Sequence, residues 1–314
     1  MLLGIEIGGT KLQLAVGPGN GEPFVDLRRL DVEPANGAEG VLRQVSECGL
    51  ELLERYPVRA VGVGFGGPID ARTGTTITSH QVDGWDSFPL VDWCRDVFGV
   101  PGVLANDSDS AGLAEARFGA GQGGRVVFYS NVGSGIGGAL VIDGDLYCGG
   151  SGVASELGHL RPGLHCDSPD RTLESMASGW AIAAAARSRV AERQDTAAAK
   201  DLMSRCEGQV RLLTTKHVAE AAIAGNEIAL CVFSEACEAY GWALAQMITL
   251  LAPNIVVLGG GVSLVGEELF LNPVREAVDR FVFPPHCGTF EIRLASLGEE
   301  VVLHGAMALA DEAE

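Results

Sequence analysis

Leu2-Leu3-Gly4-Ile5-Glu6-Ile7-Gly8-Gly9-Thr10-Lys11-Leu12-Gln13-Leu14-Ala15-Val16 is the stretch that decides the reading of this chain. Residues 2–5 form an apolar run, and residues 12–16 alternate with period two, so the unit reads strand, glycine turn, strand. A Walker loop or a dinucleotide-binding loop opens into a helix instead. Glycines without Cβ let backbone amides approach a phosphate. Gly8, Gly9, the Thr10 hydroxyl and the Lys11 ammonium therefore form a candidate phosphate site, and Glu6 a candidate holder of Mg2+ or its water. Lys11 is one of only three lysines, with Lys200 and Lys216, which makes its place here less a matter of chance. Taken alone, the stretch also fits an ordinary Gly-Gly hairpin.

Outward from this turn, 314 residues suggest two domains, each with its own core. A hydrophobic fraction of 47% with 20% charged residues fits a soluble globular protein. The net charge of -19, without a basic patch or zinc-finger spacing, argues against a nucleic-acid partner. Cys48, Cys94, Cys148, Cys166, Cys206, Cys231, Cys237 and Cys287 contain no C-x-x-C pair and read as free, mostly buried thiols of a reducing, cytoplasmic compartment. No signal-peptide pattern opens the chain, and no uninterrupted apolar run of about 18 residues predicts a membrane span.

Element types alternate as in an α/β protein. Strands are expected around the turns at 8–9 and 17–21, over 59–65, 103–105, 125–132, 139–142, 254–258 and 290–295. Helices are expected over 38–56, 89–98, 110–117, 172–193, 196–206, 215–224, 226–251, 266–281 and 299–312, with residues 193–200 as a mobile connection. The order strand, glycine turn, strand, hairpin occurs near residue 2 and again near residue 125, which suggests a duplicated domain. Two such halves facing each other would bring both glycine turns to one cleft.

Three further groups suit chemistry. Gly133-Ser134-Gly135 offers successive amides and a hydroxyl for the far phosphates of a nucleotide, and Gly259-Gly260-Gly261 suits close packing against adenine and ribose. Asp107 ends a strand and precedes a helix, where a carboxylate can take the proton of an attacking hydroxyl. Judged locally, Asn106, Asp107 or Ser108 as a helix cap is the better reading. Glu156, His159 and Glu174 carry acceptors and donors suited to a polyol, whereas His165, Asp167 and Asp170 read as a solvated loop.

In order along the chain, Glu6-Ile7-Gly8-Gly9-Thr10-Lys11, Asn106-Asp107-Ser108-Asp109-Ser110-Ala111, Gly133-Ser134-Gly135-Ile136-Gly137, Glu156-Leu157-Gly158-His159 and Gly259-Gly260-Gly261 resemble the motifs of the ROK family of sugar kinases and repressors. The resemblance runs over nearly the whole chain. It implies an α/β fold of two actin-like (ribonuclease H-like) ATPase domains with a cleft between them. The domains expected are residues 1–118, joined by a C-terminal helix at about 299–314, and residues 119–298. It further implies Asp107 as general base, with Gly67, Asn106, Asp107, Glu156, His159 and Glu174 on the sugar. ATP and Mg2+ are implied as cofactors, and a homodimer as the assembly. The chain starts at the first motif, without the winged DNA-binding segment of the repressors, so the kinase branch is expected.

The chain departs from the family pattern at four places. Glu6 stands where the family has Asp, Asp109 replaces the second Asn of N-D-A-N, and Gly66 replaces a proline. His165, Asp167 and Thr172 replace the three cysteines of the family's zinc segment. No structural zinc is therefore expected, although His159, His165, Cys166 and Asp167 contain possible donors. The expected function is ATP-dependent phosphorylation of a hexose hydroxyl, of the glucokinase kind. The alternative is a non-catalytic sugar or nucleotide sensor derived from such a kinase.

Overall fold

Along the chain, strands β1 (Leu2–Ile7), β2 (Lys11–Gly17) and β3 (Asp26–Asp31) precede helix α1 (Gly37–Arg55) and strand β4 (Ala60–Phe65). A two-stranded ribbon follows, β5 (Ile69–Asp70) with β6 (Thr75–Thr76), then helix α2 (Leu90–Phe98), strand β7 (Gly102–Asn106) and helix α3 (Asp107–Phe118). Strands β8 (Val126–Val132), β9 (Ile136–Ile142) and β10 (Asp145–Leu146) restart the pattern. Helices α4 (Glu174–Ala177), α5 (Gly179–Glu192), α6 (Ala197–Ser204), α7 (Thr215–Ile223) and α8 (Glu227–Leu251) come next. Strand β11 (Ile255–Gly259), helix α9 (Asn272–Phe281), strand β12 (Glu291–Leu294) and helix α10 (Val301–Asp311) complete the chain. The computed structural model describes residues 1–79, 81–163, 168 and 170–312. Two compact units divide it: Met1–Tyr129, Ala139–Ala154 and Ala295–Glu314 form one, Ser130–Gly138 and Ser155–Leu294 the other.

The first unit is built on a sheet of order β3-β2-β1-β4-β7. β1 pairs antiparallel with β2 and parallel with β4, and β4 pairs parallel with β7. In register, Ile7 lies beside Phe65 and Phe65 beside Asn106, so three parallel strands end in line. Ligands of open α/β sheets sit beyond such carboxyl ends. Leu3, Ile5, Leu12, Leu14, Val61 and Val63 pack on one face against Val45 and Leu52 of α1 and Leu90 and Cys94 of α2. The other face takes α10 through Leu303 and Met307. That helix comes very close: a Cβ on Gly62 would overlap the Ala306 carbonyl, and one on Gly305 the Ser110 carbonyl of α3. Glu115 of α3 is fully buried and ties the entry to α10, accepting the amides of Ser296, Leu297 and Ala120, each at 2.8 Å.

The second sheet has the order β10-β9-β8-β11-β12, with β9 and β10 antiparallel and β11 and β12 parallel. In the second unit α8 is the central helix, burying Ile228, Val232, Phe233, Tyr240, Leu244 and Ile248 against α5, α7 and α9 among others. By length and composition α8 could cross a membrane, although no uninterrupted apolar run marks it in the sequence. Most of its apolar surface is buried within the protein, as in a core helix.

Three local expectations need correction. The helix expected over 172–193 is broken at Ser178, whose extended backbone and Oγ, accepting from the Ala181 amide at 3.3 Å, start α5 afresh. The connection expected at 193–200 is shorter, because Thr196 caps α6 by accepting from the Ala199 amide at 3.2 Å. The helix expected from 266 begins as a π-helical stretch, Glu267–Leu271, before α9. The thiols are free among the described residues but less buried than expected: Cys94, Cys206 and Cys237 are buried, while Cys231 and Cys287 are exposed. The helical period turns Cys231 outward and Cys237 inward on α8.

Candidate active site

In the first unit the sequence-predicted residues gather beyond β1, β4 and β7. The Gly8 amide donates to the Lys11 carbonyl at 2.9 Å and closes the first glycine turn. The Gly66 amide donates to the Ile7 carbonyl at 2.8 Å, placing Gly66 next to that turn. Asp107 opens α3 immediately after β7, and a Cβ built on Gly66 would lie 3.4 Å from its Oδ2 and 3.5 Å from the Gly8 Cα. Gly66, replacing the family's proline, therefore lines the Asp107 carboxylate.

Asn106 performs the capping role that local reading shared among three residues. Its Oδ1 accepts from the Ser108 amide at 2.9 Å, and its Nδ2 donates to the Gly67 carbonyl at 3.1 Å. It thus fastens Gly67 to the start of α3. Asp107 Oδ1 also accepts from the Ser108 amide, at 2.7 Å. Asp107 thereby sits in the first turn of α3, where the helix dipole favours a negative charge.

Glu6 points to the α10 face of the sheet. Lys11 Nζ lies 3.4 Å from Glu6 Oε1 and donates to the Glu299 carbonyl at 3.1 Å. Gln13, fully buried, donates from Nε2 to Glu6 Oε2 at 2.9 Å. Gln13 was not among the expected site residues; its signal is an isolated polar side chain within the apolar β2. Gln81 was likewise unexpected as a neighbour of the first turn, yet its side chain occupies the space that a Cβ on Gly9 would need. Thr10 is exposed at the tip.

Burial raises the Glu6 carboxyl above its ordinary value, Lys11 opposes the shift, and the nearby Asp107 charge adds to it. The folded protein thus holds this proton more tightly than the unfolded chain. Stability from Glu6 is full at pH below the ordinary carboxylate value and is lost as pH rises through the raised folded value. Glu6→Gln is expected to raise the thermal midpoint near neutrality, with no gain in acid. A midpoint at neutrality equal to or below that of the parent would contradict this.

In the second unit Val132 and Gly259 end β8 and β11, and each leads into glycines. Gly260 has φ +85, and a Cβ there would lie 2.5 Å from the Val132 carbonyl, so this turn needs glycine for both conformation and approach. The Gly133 amide donates to the Gly135 carbonyl at 2.9 Å, and Ser134 is exposed at the tip of the turn. Glu174 Oε2 accepts from the Ile136 amide at 2.8 Å. Glu156 and His159 are exposed and lie 3.9 Å apart at opposite ends of one short turn. His165, Cys166 and Asp167 lie outside the described residues. Among the described residues no group of three or more His, Cys, Asp or Glu forms a metal cage. Thr172, where the family has a cysteine, accepts from the Ser175 amide at 3.3 Å and so helps start α4.

The ROK family model matches residues 2–313. The chain belongs to the ROK family. A glucokinase of Thermotoga maritima is 32% identical over 99% of this chain and 97% of its own length. A ROK family glucokinase from Streptomyces griseus, solved in complex with glucose and AMPPNP, superposes with a TM-score of 0.84 at 33% identity, over 99% of both chains. A ROK hexokinase from Thermus thermophilus has a TM-score of 0.80 at 29% identity, over 99% of this chain and 98% of its own. The fold is accordingly the α/β actin-like one that the sequence motifs implied.

Proposed function

We propose that this ROK chain is an ATP-dependent hexose kinase of the glucokinase kind, with Asp107 as general base. The observation that carries the reading is the Asp107 carboxylate, set in the first turn of α3 beside Gly66 and the first glycine turn. The similar kinases, one of them solved with glucose and an ATP analogue, support the substrate class. In the proposed step a sugar hydroxyl oxygen bonds to the γ-phosphorus while the bond to the β-phosphate oxygen breaks. Asp107 receives the hydroxyl proton, and ADP leaves.

Lys11 and the amides around Gly8, Gly9 and Thr10, with those of Gly133, Ser134 and Gly135, are assigned to the phosphates. Gly259, Gly260 and Gly261 are assigned to the nucleoside. Asn106 and Gly67, Glu156, His159 and Glu174 are assigned to the sugar. Glu6 and Asp107 present neighbouring carboxylates, hard oxygen donors of the kind Mg2+ prefers, and Glu6 would hold the ion directly or through water. When bound, the ion would neutralise phosphate charge. The free thiols fit a cytoplasmic setting.

ADP release across glucose, mannose, fructose, N-acetylglucosamine and N-acetylmannosamine tests the reading. Turnover that depends on one of these hexoses, and on Mg2+, is the expected result. Binding without turnover on every sugar would instead identify a sensor, and ADP release independent of sugar an ATPase without this acceptor.

A further inference from the structure

We infer that Glu174 is a positioning residue for the nucleotide, bracing the second glycine turn, in addition to the sugar contact assigned above. The inference rests on the kinase reading. Every contact that carries it lies within the second unit. Glu174 Oε2 accepts the Ile136 amide at 2.8 Å, and a Cβ on Gly135 would overlap that same oxygen. The Ile136 carbonyl is covered by Gly158, where a Cβ would overlap it. At the other end of the turn the Gly179 amide donates to the Gly133 carbonyl at 2.8 Å. The Leu173 amide donates to the Leu160 carbonyl at 2.7 Å, joining the Glu174 segment to the one that carries Glu156 and His159.

Gly158, Glu174 and Gly179 therefore hold the turn along one side. The other side is open: among the described residues nothing lies within 4 Å of a Cβ on Gly133, and Ser134 is exposed. A carboxylate beside a turn meant for phosphate is electrostatically adverse, and here it is offset by a charge-assisted hydrogen bond that fixes the Ile136 peptide. Glu174 is then one mechanical element with the turn. Sugar contact at Glu174 and phosphate contact at 133–135 draw on the same side chain.

The test measures Mg·ADP binding by calorimetry without sugar. Glu174→Ala is expected to weaken it about ten-fold, the effect of losing one hydrogen bond to a charged group. Glu174→Gln keeps an acceptor for the Ile136 amide and is expected to stay within about two-fold of the parent. Hydrogen exchange at Ile136 should speed up in Glu174→Ala and not in Glu174→Gln. Should Glu174→Ala not fold, Glu174→Met, which fills the space without an oxygen acceptor for the Ile136 amide, is expected to weaken Mg·ADP similarly. A side chain that only contacts sugar predicts unchanged Mg·ADP affinity in all three variants, and that result overturns the inference. It leaves the kinase reading standing, since that reading fails on sugar-dependent turnover by the parent protein.

Discussion

Asp107→Asn is expected to lower kcat by about 10²- to 10⁴-fold, the usual loss on removing a general base, while sugar affinity changes little. The substitution is close to isosteric. The carboxamide introduced at position 107 keeps an oxygen for the Ser108 amide, which Asp107 Oδ1 meets at 2.7 Å, and Asn106 still caps α3 from its own Oδ1. What is lost is basicity and charge beside Gly66 and the first glycine turn. Loss of activity should therefore occur without loss of fold, so the thermal midpoint is measured alongside turnover. Full activity in this variant would remove Asp107 from the base role. A large fall in midpoint would show that its charge is structural.

Glu115→Ala carries the largest expected cost in stability. Its buried carboxylate accepts three backbone amides, those of Ala120, Ser296 and Leu297, each at 2.8 Å. Removing it leaves these donors without that acceptor at the junction where the chain enters α10. A buried donor left unsatisfied costs about 1–3 kcal/mol, so a loss of about 3 kcal/mol or more is expected. This corresponds to a fall in midpoint of about 4 °C or more for a protein of this size. Glu115→Gln should lose less, because one acceptor oxygen remains for part of the set. A midpoint unchanged in Glu115→Ala would mean that water replaces the carboxylate there.

The role of Glu115 is not legible in the sequence. This residue is a single acid within a helical stretch, with nothing in its spacing to separate it from an exposed Glu. Strands β1, β2, β4, β7, β8 and β11 were legible because apolar runs ending in Gly or Asn are local signals. The glycine turns at 8–9, 133–135 and 259–261 were legible for the same reason, as was Asp107 at a strand-to-helix junction. Gln13 was visible as a polar residue in an apolar strand, but its partner, Glu6, becomes clear only from the β1–β2 register. Gln81 reaches Gly9 from more than seventy residues away, and no local pattern encodes that.

The chain's letters alone determined the ordered motifs, the alternation of strands and helices, and so membership of the ROK fold. Such features follow from the short-range periodicity of burial and from turn chemistry. Tertiary structure decided which carboxylates share an environment. It raised Glu6 by burial beside Asp107, buried Glu115 under three amides, and set Glu174 against the Ile136 peptide. The physical reason is that a side chain's charge and hydrogen bonds depend on what the fold removes from water around it, and its partners are distant in sequence.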